Sequence, residues 1–210
     1  MHERRFDEAL LMCQDILSRQ GQDVDANYYA AVCLRYLKRH DHALIQLEKL
    51  RQVAPAHSRA LQEVGHNFRD IGDMNKALHF YTRATHINPS LQASWKHQID
   101  ILLKFKRKEE ASRLIPFLDR VIKMPKPLLA AMDHISQGRL ADAEDLCRDF
   151  LSKTPHHVEA MRLLAAIGTK LNVLHDAEFL LESALRLEPD NAMLRVEHIE
   201  VLRKRQKIEK

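Results

Sequence analysis

The residues with the most chemical potential in this chain are its thiols, imidazoles and carboxylates, so their spacing comes first. Cys13, Cys33 and Cys147 stand far apart, with no CxxC pair among them. An odd count without that spacing argues against a disulfide framework or a zinc site. A free cysteine on an apolar helix face behaves as a small hydrophobe, so all three are read as buried thiols in a reducing, cytoplasmic setting. Among thirteen histidines, the close pairs are His40 with His42 and His156 with His157. Both pairs fall in turns, and neither has a second ligand pair at zinc spacing. They read as polar turn residues, so no metal and no cofactor is expected. The five glycines form no phosphate-cradling loop and no G-x-S-x-G elbow. Acidic and basic residues recur as neighbours at helical spacing, the pattern of a solvated, self-pairing surface. No catalytic residue is assigned, and the chain reads as a non-enzyme.

The elements that carry these residues follow from a repeat. Ala9, Ala43, Ala77, Ala111, Ala143 and Ala177 are separated by 34, 34, 34, 32 and 34 residues. A period of that length in a helical sequence marks an array of helix–turn–helix units. Other columns keep the same phase. Small or apolar residues stand twelve positions before the beat, as Ala31, Gly65, Ile99, Ala131 and Ala165. Core-type residues follow four after it, as Cys13, Leu47, Tyr81, Ile115, Cys147 and Leu181. Gly72, Gly138 and Asn172, five before it, suit the left-handed conformation that ends a helix. Pro55, Pro89, Pro155 and Pro189, twelve after it, end the second helix of each pair, with Gly21 in the first copy.

This phasing predicts an all-α chain of about 12 helices in two arms. The first, 1–123, holds a half repeat at 1–23 and repeats at 24–57, 58–91 and 92–123. The second, 124–210, holds repeats at 124–157 and 158–191 and a half repeat at 192–210. The tail Arg203–Lys210 reads as a turn entering a further helix, which suggests a fragment of a larger protein. The third repeat is short, and Pro116 is expected to interrupt and kink its second helix at 115–117, altering the angle to the next repeat. Net charge is +4 with 29 acidic residues interspersed, so no single-sign field dominates. No apolar run approaches a membrane span, and no signal peptide opens the chain.

The columns resemble the tetratricopeptide repeat, most fully in Ala60–Pro89, with small residues at the eighth and twentieth positions, an apolar or aromatic one at the twenty-fourth and proline at the thirty-second. The resemblance implies a right-handed α-solenoid of antiparallel helix pairs whose first helices line a concave groove. It places the second, fifth, ninth and twelfth positions of each repeat on that groove, including Tyr28, Arg35, Arg59, Gln62, His66, Arg69 and Lys96. The first arm's groove then reads as basic through Arg35, Arg59, Arg69 and Lys96. The expected partner is a protein or peptide, acidic in character. In the fourth repeat, Leu128, Met132 and Ile135 share the groove phase but are read as buried against their neighbours. The repeats that grip acidic chaperone tails carry lysine with asparagine four residues on. Here those positions hold Gln62 with His66 and Lys96 with Asp100, a poor match.

The stretch Leu128–Lys207, with its "DAE" phrases at Asp142–Glu144 and Asp176–Glu178 and "EAMRLLA" at Glu159–Ala165, resembles the repeat region of bacterial tetratricopeptide sulfotransferases, and Trp95 in "ASWKHQIDILLK" adds to the likeness. That resemblance implies an alternative: an arm positioning substrate for a catalytic domain absent from this chain. Nucleic acid is disfavoured, because Tyr28 is the only aromatic on the expected face and no regular side-chain code appears. Unpaired terminal helices could join two copies in a weak homodimer.

Overall fold

The computed structural model describes residues 2–208, and these form twelve α-helices with no strand among them. The chain divides into two compact units, Met1–Ile122 and Lys123–Lys210. The first unit contains α1 (His2–Arg19), α2 (Val24–Tyr36), α3 (His40–Val53), α4 (Ser58–Asp70), α5 (Met74–Ile87), α6 (Gln92–Lys104) and α7 (Lys108–Lys123). The second contains α8 (Lys126–Ser136), α9 (Leu140–Lys153), α10 (Val158–Lys170), α11 (Leu174–Leu187) and α12 (Ala192–Ile208). Within each unit, helices consecutive in sequence pack as neighbours, with α7 set against α6 through Leu114 and Leu118, which is the all-α solenoid expected from the period.

The turns explain why the helices stop where they do. Lys38, Gly72, Lys106, Gly138 and Asn172 all have positive φ, between 61° and 92°. Each reverses the chain between the two helices of a pair. Glycine and asparagine were foreseeable there, whereas Lys38 and Lys106 hold the same conformation despite their Cβ. Between pairs, α3, α5, α9 and α11 stop two residues before Pro55, Pro89, Pro155 and Pro189. Several helices are then started by a side-chain cap. Asp23 accepts from the Ala26 amide at 2.7 Å, and Asp73 caps α5 through Lys76 at 3.0 Å. His57 and His157 do the same through Nδ1, accepting from Ala60 at 3.0 Å and Ala160 at 3.2 Å. One member of the His156–His157 pair is therefore a helix cap.

The small residues lie where two helices of a pair meet. Ala43, Ala77, Ala111, Ala143 and Ala177 are buried, as are Ala31, Gly65, Ile99, Ala131 and Ala165. The core column holds at Cys13, Leu47, Tyr81, Cys147 and Leu181 but fails at Ile115, which is exposed. In α7 the inward positions are instead Leu114 and Leu118, three and seven after Ala111, packed with Ile99 and Leu102 of α6. Pro116 does not interrupt α7, which runs as one helix from Lys108 to Lys123. Pro116 and Phe117 lie on its exposed side, where Phe117 stacks on Trp95 with ring centroids 5.4 Å apart.

In the second unit, Leu128 and Met132 are buried with Ala143, Cys147 and Leu163, and Ile135 packs against that cluster. The tail differs from expectation. Helix α12 continues through Ile208, so Arg203–Ile208 is no turn, and residues 209–210 of that stretch lie outside the described residues. "RKRQKI" is built mostly of strong helix formers and offers neither glycine nor asparagine at the turn column. No helix among the described residues is long and apolar enough to cross a membrane.

Candidate functional site

The first helices of successive pairs, α2, α4 and α6, share one face of the first unit, and polar side chains are linked across it. Arg35 near the end of α2 reaches the middle of α4, where its Nε donates to Glu63. Its Nη1 lies 3.4 Å from the Asp70 carboxylate at the end of α4. Arg69 repeats the reach one unit later: its Nη1 donates to His97 Nε2 on α6 at 2.7 Å, while Nη2 holds Asp70 at 2.9 Å. Both arginines span 28 residues to their partner on the next first helix. That distance is the 34-residue period less about two turns of helix, so the end of one first helix grips the middle of the next.

Electrostatics follow from burial. Arg35 is 12 % exposed and Glu63 only 5 %. Burial works against the Arg35 cation, but the hydrogen bond and charge of Glu63 prevail and raise its pKa. At Glu63 the same burial outweighs the guanidinium and pushes the carboxyl up. For Asp70, burial also pushes the carboxyl up. There the hydrogen bond and charge of Arg69, with Arg35 beside it, overcome the burial and hold it below the usual carboxylate value. A guanidinium can only donate, so His97 Nε2 must be an acceptor and the ring neutral. Burial and Arg69 lower its pKa accordingly.

A second pair lies within the same cluster. His66 Nδ1 and the Tyr81 hydroxyl are 2.7 Å apart, and the His66 ring stands nearly perpendicular to that of His97, with centroids separated by 5.4 Å. Burial first, then Arg35 and Arg69, drive the His66 pKa down to about 3. Burial also raises the Tyr81 phenol. Both members are neutral, and one hydrogen bond satisfies both. Gly65 makes room for this arrangement: a Cβ there would sit 2.7 Å from Tyr81 Cε1.

The structure therefore brings together Arg35, His66 and Arg69 of the expected groove residues. It adds Glu63, Asp70 and His97, which column reading left out, and Tyr81, which it placed in the core. Two of the four cations expected to make the groove basic, Arg35 and Arg69, are paired with Glu63 and Asp70 within the fold. Gln62 is also engaged, donating to Ser94 on α6 at 3.0 Å. Tyr28 is half-buried against the cluster containing Ala31 and Leu47, with its ring centroid 5.5 Å from that of His57, and burial pushes its phenol up to about 12. Arg59 and Lys96 are exposed, as are Asp25 and Asp100. The outward charge of the face is mixed.

The three cysteines are free and buried. Burial raises all three thiols, that of Cys147 to about 11. The second unit has a smaller polar cluster in which Arg162 on α10 holds Glu159 at 2.6 Å and Glu197 on α12 at 2.7 Å.

An array of paired helices with small residues at the contacts and prolines after alternate helices is the class defined so far. Residues 128–192 match the family model of the tetratricopeptide repeat. That match describes the repeat alone and shows nothing of a sulfotransferase. Comparison with curated proteins gives no match. Solved structures similar to this chain include YrrB, a TPR protein with an unusual peptide-binding site, at 15% identity, covering 90% of this chain and 97% of that one, with a TM-score of 0.47. MamA is similar at 13% identity, covering 90% and 91%, with a TM-score of 0.46. TTC0263, a thermophilic TPR protein from Thermus thermophilus, is similar at 20% identity, covering 86% and 99%, with a TM-score of 0.43.

Proposed function

We propose that this chain is a non-catalytic scaffold that binds a peptide or protein segment along the face of α2, α4 and α6. The observation carrying this reading is the cross-helix ladder Arg35–Glu63, Asp70–Arg69–His97. It ties three successive first helices together and fixes their polar side chains before any partner arrives. Preorganised side chains cost less to order on binding. Arg59 and Lys96 beside the ladder supply exposed groups for contact, alternating with Asp25 and Asp100. A partner of mixed polarity fits this face better than a purely acidic one, because the two arginines expected to attract acid are already engaged within the fold.

The test is selection of binding peptides from a random displayed library on the purified chain. Selected peptides are then measured by fluorescence anisotropy against Arg59→Ala, Lys96→Ala and the double variant. The double variant is expected to weaken binding about tenfold or more, the loss typical of a few interface contacts. Peptides that bind both proteins equally, with helicity unchanged, would remove this face as the site.

A further inference from the structure

A different cluster lies in the second unit, between α11 and α12. Glu178 and Glu182 are four residues apart on α11 and so share a helix side. His198 on α12 faces them. One ligand atom from each of the three lies within 4.8 Å of the others. His198 Nε2 is buried without a hydrogen-bond partner, and the nearest charged atom of Glu182 is 4.0 Å away, beyond hydrogen-bond reach. A buried imidazole nitrogen normally finds a donor or acceptor, and one left over beside two carboxylates asks for a cation.

We propose that Glu178, Glu182 and His198 form a binding site for a divalent transition cation of the zinc type. The donor set suits it: one imidazole nitrogen and two carboxylate oxygens, with water completing a tetrahedron. Three atoms within 4.8 Å of one another leave a point about 2.8 Å or less from each. Zinc–nitrogen and zinc–oxygen bonds of about 2.0–2.2 Å need the donors to close by roughly 0.6 Å. Glu182 is 48 % exposed and free to swing that far, whereas Glu178 and His198 are 15 % and 20 % exposed and already placed. Arg205, also on α12, donates to Glu178 Oε2. A guanidinium in that position orients a ligating carboxylate from behind, as outer-sphere partners of metal ligands do.

The experiment uses the full chain and Zn2+ alone, titrated by calorimetry, with Co2+ as a spectroscopic stand-in. One ion per chain is expected, together with the visible absorption of tetrahedral cobalt. Glu182→Gln and His198→Gln should each weaken binding about tenfold or more, since even outer-sphere changes cost that much. The double variant His156→Gln, His157→Gln should leave affinity unchanged. No uptake of Zn2+ by the wild-type chain overturns the proposal. So does uptake unaltered by both Glu182→Gln and His198→Gln, or uptake abolished by the His156, His157 pair instead. Retained helicity by circular dichroism qualifies each variant, and Glu182→Gln alters only a half-exposed side chain.

Discussion

Replacing Gly65 with alanine tests the packing that positions the polar ladder. In an unobstructed helix interior, glycine to alanine stabilises by about 1 kcal/mol. Here the new Cβ would lie 2.7 and 2.8 Å from Tyr81 Cε1 and Cδ1. Carbon atoms prefer about 3.5–4.0 Å, so the ring must retreat by close to 1 Å. It has nowhere to go: Tyr81 is 0 % exposed, and its hydroxyl is tied to His66 at 2.7 Å. Overpacking of that kind costs about 1–3 kcal/mol. Setting the propensity gain against the middle of that range leaves a net loss of about 1 kcal/mol. The sign should reverse once the ring is removed. In a Tyr81→Leu background, Gly65→Ala is expected to stabilise by about 0.5–1 kcal/mol, giving a coupling of about 1–3 kcal/mol in the double-mutant cycle. Urea unfolding followed by circular dichroism at constant m-value measures all four proteins. Stabilisation of the wild-type background by Gly65→Ala, or a coupling near zero, would refute the contact between Gly65 and Tyr81.

Three further outcomes follow from the same cluster and from the thiols. His66 has a folded pKa of about 3 against an ordinary value of 6.5, so the unfolded chain takes up its proton first as pH falls. Stability is undiminished above that ordinary value and is lost by about 1.4 kcal/mol per pH unit below it, or about 2 kcal/mol between pH 7 and 5. His66→Gln should flatten that stretch of the stability–pH curve, and an unchanged slope would show that His66 is not buried as neutral. Glu63→Gln leaves the Arg35 cation without its main counter-ion at a site only 12 % exposed, so denaturant titration should show a loss of about 3–5 kcal/mol. Replacing both partners by leucine and methionine should cost much less, and equal costs would contradict a buried pair. Because burial raises all three thiols, Cys147 to about 11, a disulfide-exchange reagent at pH 8 should label the native chain slowly and the denatured chain at three sites. Rapid native labelling would place at least one thiol at the surface.

The repeat could be read from sequence because steric requirements recur at fixed intervals. A helix pair needs a small residue where its backbones approach, so Ala43, Ala77 and Ala143 announce themselves in any copy. Turn chemistry was read only halfway. Gly72, Gly138 and Asn172 advertise positive φ, but Lys38 and Lys106 adopt it because the helices on either side dictate the reversal. Lysine carries no local preference that would reveal this. Ile115 misled for a related reason: offsets of three and four residues lie on nearly the same helix side. A proline at 116 on the outer side of α7 lets Leu114 and Leu118 become the inward pair.

The polar ladder was hidden for a different reason. Column reading compares equivalent positions one period apart, whereas the ladder joins positions that are not equivalent. Arg35 and Arg69 occupy one column, yet their partners stand 28 residues on, at another position of the next repeat. Glu63 and His97 are themselves one period apart, so the same socket is filled by an anion in one copy and by a neutral imidazole in the next. The first pairing neutralises a charge; the second needs Asp70 between the two arginines to do so. Asp70 thus balances Arg69 directly and Arg35 from 3.4 Å, so at least two of the four positive charges counted on this face are paired within the fold. Counting charges along a repeat face overstates its field whenever the period places an acid on the neighbouring turn of the next helix. The charge available to a partner is set by the pairs that close across helices.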